Sequence, residues 1–251
     1  MVKRLSIWLL IAAGSWLMTS CDDLTDTIVP GLSQEEVVAG LKEALRVGTD
    51  TSVSNLNREN GYFMDAAVKI MLPPEVAMIQ QNLNALGISS LVQPLVDELV
   101  LQINRSAEDA ASEAKPIFVN AITDMTIADG WAILNGSDTS ATSYLKGATF
   151  EELKSLFKPK IENSLSKPLV GNISASSTYS QIVEKYNTAA NIANQLPFGD
   201  KKYTIVNPSL SDYTTGKALN GLFIKVADEE KAIRTDPVAR VTEILQKVFG
   251  R

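Results

Sequence analysis

The sequence predicts an all-α protein, a compact bundle of about eight to ten helices. Three observations carry that expectation. Nearly every segment after residue 32 repeats its apolar residues at helical spacing, side chains suited to helix caps recur at segment starts, and no internal repeat or low-complexity tract interrupts the pattern. With 45% hydrophobic and 21% charged residues, the 251-residue chain has enough apolar material for one sizeable core. Histidine is absent, which excludes Ser-His-Asp and Cys-His catalysis, histidine-ligated zinc or haem, and imidazole acid/base chemistry.

Residues 1–20 read as a lipoprotein signal peptide. Lys3 and Arg4 are its positive start, and an apolar run over 5–17 follows. As a helix that run spans roughly 20 Å, short of a ~30 Å hydrocarbon core, so cleavage is expected rather than a permanent span. Leu17-Met18-Thr19-Ser20-Cys21 resembles the bacterial lipobox, in which small residues precede a cysteine that is acylated and starts the mature chain. Cys21 is the single cysteine, without a disulfide partner in an exported chain, and is the expected lipidation site. Loss of Lys3 and Arg4 takes the net charge from −6 to −8, which disfavours nucleic acid and anionic lipid as partners. Residues 21–32, rich in Asp and Thr with a Pro-Gly pair, read as a flexible tether, and 33–251 as a single helical domain.

Ser33 and Glu36 form an S-x-x-E capping box for a first helix, with Val37, Leu41, Ala44 and Leu45 on one face and Gly48 as its stop. Residues 61–70 read as a second helix, although 68–73 alternates enough to be a short extended piece. Pro74 suits the first turn of a helix carrying Val76, Ile79, Leu83 and Leu86 up to Gly87. Leu91, Leu95, Leu99, Ile103, Ala107, Ala110 and Ala114 then make one stripe of about seven turns, which Pro116 is expected to break or kink. A short helix through Ile117, Phe118 and Ile122 follows, then one capped by Thr126 with Asp129 and ended at Asn135-Gly136. Thr149 and Glu152 read as another capping box, with 166–177 as loop. Tyr179, Ile182, Val183, Tyr186, Ala189, Ala190, Ala193 and Leu196 make a clean amphipathic stripe up to Pro197. A helix through Tyr213, Leu219, Leu222, Phe223 and Val226 precedes Asp236-Pro237, read as N-cap and first residue of a last helix through Phe249.

Several motifs together resemble the bacterial family catalogued as domain of unknown function 4197. They are Gly40-Leu41-Lys42-Glu43-Ala44-Leu45, Gly61-Tyr62 leading to Ile70-Met71-Leu72-Pro73, Asn104-Arg105-Ser106-Ala107-Glu108, Pro116-Ile117-Phe118 and Ala141-Thr142-Ser143-Tyr144. The most specific stretch is Thr215-Gly216-Lys217-Ala218-Leu219-Asn220-Gly221-Leu222-Phe223, followed by Asp236-Pro237-Val238-Ala239-Arg240. The resemblance implies a helical envelope protein, often a lipoprotein, with no assigned activity.

Thr215-Gly216-Lys217 fails as a phosphate loop, because Ser211 stands where its first glycine belongs and Ala218 where Ser or Thr belongs. No spacing supports a metal or nucleotide site, and no cofactor is expected. The candidate polar site is Asn104, Arg105, Glu108, Asp124, Asp129, Tyr144, Lys217, Glu229, Arg234 and Arg240, with Tyr62 and Trp131 as neighbours more often core than pocket. These charges most often serve as ion-pair networks that orient helices. Two other readings are a carboxylate glycosidase pairing Glu108 with Asp124 or Asp129, and an anion or headgroup site where Arg105, Lys217 and Arg240 converge. The expected function is that of an exported, lipid-anchored cell-envelope protein, periplasmic or at the cell surface, with a non-catalytic binding or scaffold domain. Its partners are the membrane, through the lipid, and an envelope protein or small amphiphile. The alternatives are a carrier of a lipid or small amphiphile and an envelope glycan hydrolase.

Overall fold

Ser33 starts the first helix as its sequence requires. Its hydroxyl accepts the Glu36 N–H at 3.2 Å while the Glu36 carboxylate accepts the Ser33 N–H at 2.8 Å. The computed structural model describes residues 33–74, 76–77, 89–168, 174–195, 205–207 and 209–250. The segments expected to be signal peptide and tether, with Cys21, and most of the helix expected over 74–87 lie outside the described residues. Among these there are eight α-helices: α1 Gln34–Asn57, α2 Ser89–Ala111, α3 Ala114–Asp124, α4 Ile127–Leu134, α5 Ser140–Ser166, α6 Ala175–Gln195, α7 Leu210–Thr235 and α8 Glu243–Phe249, with a 3₁₀ turn Pro237–Ala239 before α8. The protein is all-α and forms a compact helical bundle.

Several boundaries differ from the sequence expectation. Gly48 does not stop α1, which runs on to Asn57. It is buried where α7 crosses, and a Cβ there would lie 3.4 Å from the Glu229 Cβ, so the missing side chain serves close packing. The segment expected to be a helix over 61–70 is a series of turns, and 69–73 is neither helix nor strand. Pro116 does not break the long stripe. The chain turns at Ser112 and Glu113, and Pro116 then sits in the first turn of α3, where its missing N–H costs nothing. Thr149 caps nothing: its hydroxyl donates to the Leu145 carbonyl at 2.7 Å inside an unbroken α5 that also contains Pro159. Asp236-Pro237 opens only the 3₁₀ turn, and α8 begins one step later with Thr242 as its N-cap.

α7 lies at the centre. Its Ala218, Leu219 and Leu222 are fully buried, and full burial of each leucine contributes about 1.5–3 kcal/mol. It packs against α5 and α1, with Phe223 edge-on to Phe118 of α3 at a 6.0 Å centroid separation. α1 and α7 run antiparallel, since Gly48 faces Glu229 and Ile233 while Leu56, near the end of α1, shares a cleft with Lys225. The small face of α2 meets its neighbours as the stripe requires, with Ala107, Ala110 and Ala111 all at 0% exposure. α3 and α4 meet at 103°, and no single helix among the described residues is long and apolar enough to cross a membrane.

Candidate functional site

The irregular segment between α1 and the start of the helix at Pro74 closes its own turns by backbone hydrogen bonds but leaves the N–H groups of Tyr62, Phe63 and Ile70 to side chains from elsewhere. α2 supplies two of them, one turn apart. Asn104, 0% exposed, accepts the Ile70 N–H and donates to the Ile70 carbonyl, both at 2.8 Å, and so imitates a strand neighbour. Glu108 accepts the Tyr62 and Phe63 N–H groups on one oxygen, each at 3.1 Å, and the Arg105 guanidinium on the other at 2.6 Å. Arg105 reaches on to Glu59 and to the side-chain oxygen of Asn60, both at 3.0 Å. Asn60 holds φ at 67°, a left-handed conformation that asparagine tolerates and that reverses the chain before Gly61.

α7 completes the clasp. The Tyr62 hydroxyl donates to the Ala218 carbonyl at 2.8 Å, burial pushes its phenol pKa up, and the Tyr213 hydroxyl donates to the Met71 carbonyl at 3.1 Å. Lys225 pairs with Asp65 at 2.7 Å, which holds that carboxyl below the usual carboxylate range.

A second buried carboxylate joins the other end of α7 to α5. Glu230 accepts the Ala141 N–H at 3.0 Å and the Thr142 N–H and hydroxyl at 2.8 Å, capping the start of α5 from a distance. Arg234 is bound to the same carboxylate and to the Ile133 carbonyl that closes α4. Arg240, 8% exposed, donates to the carbonyls of Ile233 and Arg234 at the end of α7.

The predicted polar residues therefore fall into separate places. Asn104, Arg105 and Glu108 form one clasp, and Arg234 and Arg240 another near the end of α7. Asp124 and Asp129 lie close to Tyr144, whose phenol pKa is raised by burial first and then by Asp129 and Asp124. Arg105, Lys217 and Arg240 do not converge. The carbonyl that Arg240 holds at Ile233 is sixteen residues along α7 from Lys217, roughly 24 Å at 1.5 Å per residue. Lys217 is exposed, its ammonium 5.7 Å from the Tyr213 ring.

The geometry is also unsuited to the glycosidase pair. Both oxygens of Glu108 are engaged by fixed donors, and Asp129 belongs to the α4 capping box, where the Thr126 N–H and hydroxyl hold its carboxyl below the usual range rather than raising it as a general acid needs. The apolar cavity between Leu41, Leu45, Val226 and Phe249 has a volume of about 20 Å³, room for a water and not for an acyl chain. Among the described residues no cluster of three or more carboxylates or cysteines is arranged to hold a metal.

Beside the first clasp lies a polar cleft of about 460 Å³ between the end of α1, the 58–66 turns and α7. Arg58, Asn60, Met64, Asp65, Lys225 and Glu229 line it. Of these, sequence reasoning singled out only Glu229. Burial, and then Asp228, raise the Glu229 pKa. The Asn60-Gly61 pair was the one available signal, since it marks a tight turn; the cleft itself is made by residues distant in sequence.

Buried clasps joining a helical bundle, with a polar cleft beside them, define a helical protein whose buried polar residues hold the fold. The family description now fits: the chain belongs to the family described as protein of unknown function DUF4197, whose pattern matches residues 31–250. No curated protein and no solved structure matches the chain.

Proposed function

We propose that this is a lipid-anchored cell-envelope protein whose helical domain acts by binding rather than by chemistry, with the polar cleft beside Tyr62 as its recognition surface. The observation that carries the reading is a division of labour among charges. The buried charged side chains Glu108, Glu230 and Arg240 are held by fixed partners within the fold, whereas the side chains of Arg58 and Glu229 line an open concavity and have no hydrogen-bond partner among the described residues. Its lining carries both signs of charge, which suits a polar protein segment or a small zwitterion better than an acyl chain. The lipobox-like sequence and the absence of histidine support the anchor and the lack of catalysis.

Two experiments test it. Replacing Cys21→Ala should move the protein from the membrane pellet to the soluble fraction after alkaline washing; retention in the pellet would remove the anchor. The full chain isolated from its host should carry a bound molecule or polypeptide in native mass spectrometry that Arg58→Glu releases. A species retained equally by that variant would place recognition elsewhere.

A further inference from the structure

The cleft beside Tyr62 holds two charges of opposite sign that do not meet. Arg58, the C-cap residue of α1, and Glu229 of α7 both line it, and neither makes a hydrogen bond or an ion pair among the described residues. The fold keeps them apart. The Glu229 Cβ lies 3.4 Å from where a Cβ on Gly48 would stand, and Arg58 follows ten residues after Gly48, roughly 15 Å along the axis of α1. Lys225, one turn before Glu229 on the antiparallel α7, is already engaged, its ammonium 2.7 Å from Asp65 and 3.6 Å from Asp228. Glu229 is thus a partly buried carboxylate without a counter-ion of its own. Burial, and then Asp228, raise its pKa, and a cation placed beside it would offset both effects.

The space between the two charges is built in advance. Gly61 forms part of its wall, where a side chain would strike the Asn55 and Leu56 carbonyls at the end of α1, and the adjacent Tyr62 is fixed by Glu108 and Ala218. Asn60 gives its side-chain oxygen to Arg105 at 3.0 Å, which leaves its amide N–H groups to donate elsewhere, and the Asn55 side chain has no partner among the described residues. Met64, 72% exposed, adds apolar surface to the same cleft. A volume of about 460 Å³ falls within the range of small-ligand sites, roughly 300–1,000 Å³.

We infer that the cleft binds a short free peptide of about three residues, with its α-ammonium at Glu229 and its α-carboxylate at Arg58. Three residues of extended chain reach about 10 Å, and the long side chains of Arg58 and Glu229 bridge the rest. The Asn55 and Asn60 amides are then available to the peptide groups between the termini, and Met64 to an apolar side chain. The guanidinium fork of Arg58 matches a carboxylate as a two-pronged donor. This rests on the reading of the cleft as the recognition surface and deepens it by naming the class of ligand. An internal segment of a larger protein has no free termini and would leave both charges unmet.

The full chain, in detergent micelles, is titrated calorimetrically with a panel of Ala-X-Ala tripeptides, with the same peptides acetylated at the N-terminus, and with the same peptides amidated at the C-terminus. Free peptides should bind, and each cap should weaken binding by about tenfold or more. The caps also report on single residues. Arg58→Gln should bind free and amidated peptides equally, and Glu229→Gln should bind free and acetylated peptides equally; thermal unfolding checks that both variants stay folded. Doubly capped peptides that bind as well as free ones overturn the inference in favour of an internal protein segment and leave the cleft reading intact. Cap effects that persist undiminished in both variants place the termini elsewhere and overturn it too. Failure of every tripeptide to bind, while a host-derived species is still released by Arg58→Glu, removes the peptide alone. Failure of both removes the peptide and the cleft reading together.

Discussion

The ring of Tyr62 fills the space that a side chain at position 221 would occupy: a Cβ on Gly221 would stand 2.8 Å from the Tyr62 Cε1 and 3.2 Å from the Val68 Cβ. Two segments of the chain more than 150 residues apart, around Tyr62 and Gly221, are therefore shaped to each other. Gly221→Ala gains about 1 kcal/mol of helix propensity but forces a fully buried ring to move, a cost of about 1–3 kcal/mol that also disturbs the 218 hydrogen bond. Net destabilisation is expected in thermal unfolding. Gly216→Ala, five residues earlier in the same helix with nothing within 4 Å, should instead raise stability by about 0.5–1 kcal/mol.

Tyr62→Phe keeps the ring and removes only the hydroxyl that reaches Ala218. A loss of about 1 kcal/mol is expected, or a Tm lower by about 2–4 °C for a protein of this size. A loss no larger than that of a surface substitution would mean that the hydrogen bond contributes little to the clasp.

Glu230→Ala strands two N–H groups at the start of α5 and the Arg234 guanidinium at once. Removing one partner of such a buried pair costs about 3–5 kcal/mol, and Glu230→Gln, which keeps an acceptor, should cost less. Amide exchange should report the damage first at Ala141 and Thr142. Uniform acceleration across the chain would contradict a local capping role.

The carboxylates shift in opposite directions, and the signs separate them. Lys225 lowers the Asp65 pKa, so that pair stabilises the fold above the unfolded carboxylate range and is lost as pH falls through the folded value. Burial and Asp228 raise that of Glu229, against a smaller opposing pull from Lys225. Its contribution is favourable below its unfolded pKa and is lost as pH rises through the folded one. Asp65→Asn should therefore reduce Tm at pH 7 and not at pH 2–3, whereas Glu229→Gln should raise Tm slightly at pH 7 and leave it unchanged at pH 3–4. Denaturation curves at both pH values check the pair.

How much of this was legible in the sequence depended on the range of the interaction. The capping boxes at Ser33 and Thr126 and the small stripe through Ala107 and Ala110 are local patterns, and the structure reproduces them. Gly48 and Thr149 misled because the same residue types that end or start helices also sit inside them, one to admit α7 and the other to bond backwards to Leu145. The 58–73 segment was unreadable for a different reason: its hydrogen-bond partners Asn104 and Glu108 are 34 to 46 residues away. The same non-local closure hid the cleft, which forms only when α1 and α7 bring Arg58 and Glu229 together.

The central claim is that the polar motif residues hold the fold and leave recognition to the cleft, and Glu108 tests it most directly. Thermal unfolding of the wild type, Glu108→Gln and Glu108→Ala should show a graded loss, about 1–3 kcal/mol for the first and about 3–5 kcal/mol for the second, with faster amide exchange at Tyr62 and Phe63. Unchanged stability and unchanged exchange in both variants would contradict the claim, and would free this carboxylate for chemistry.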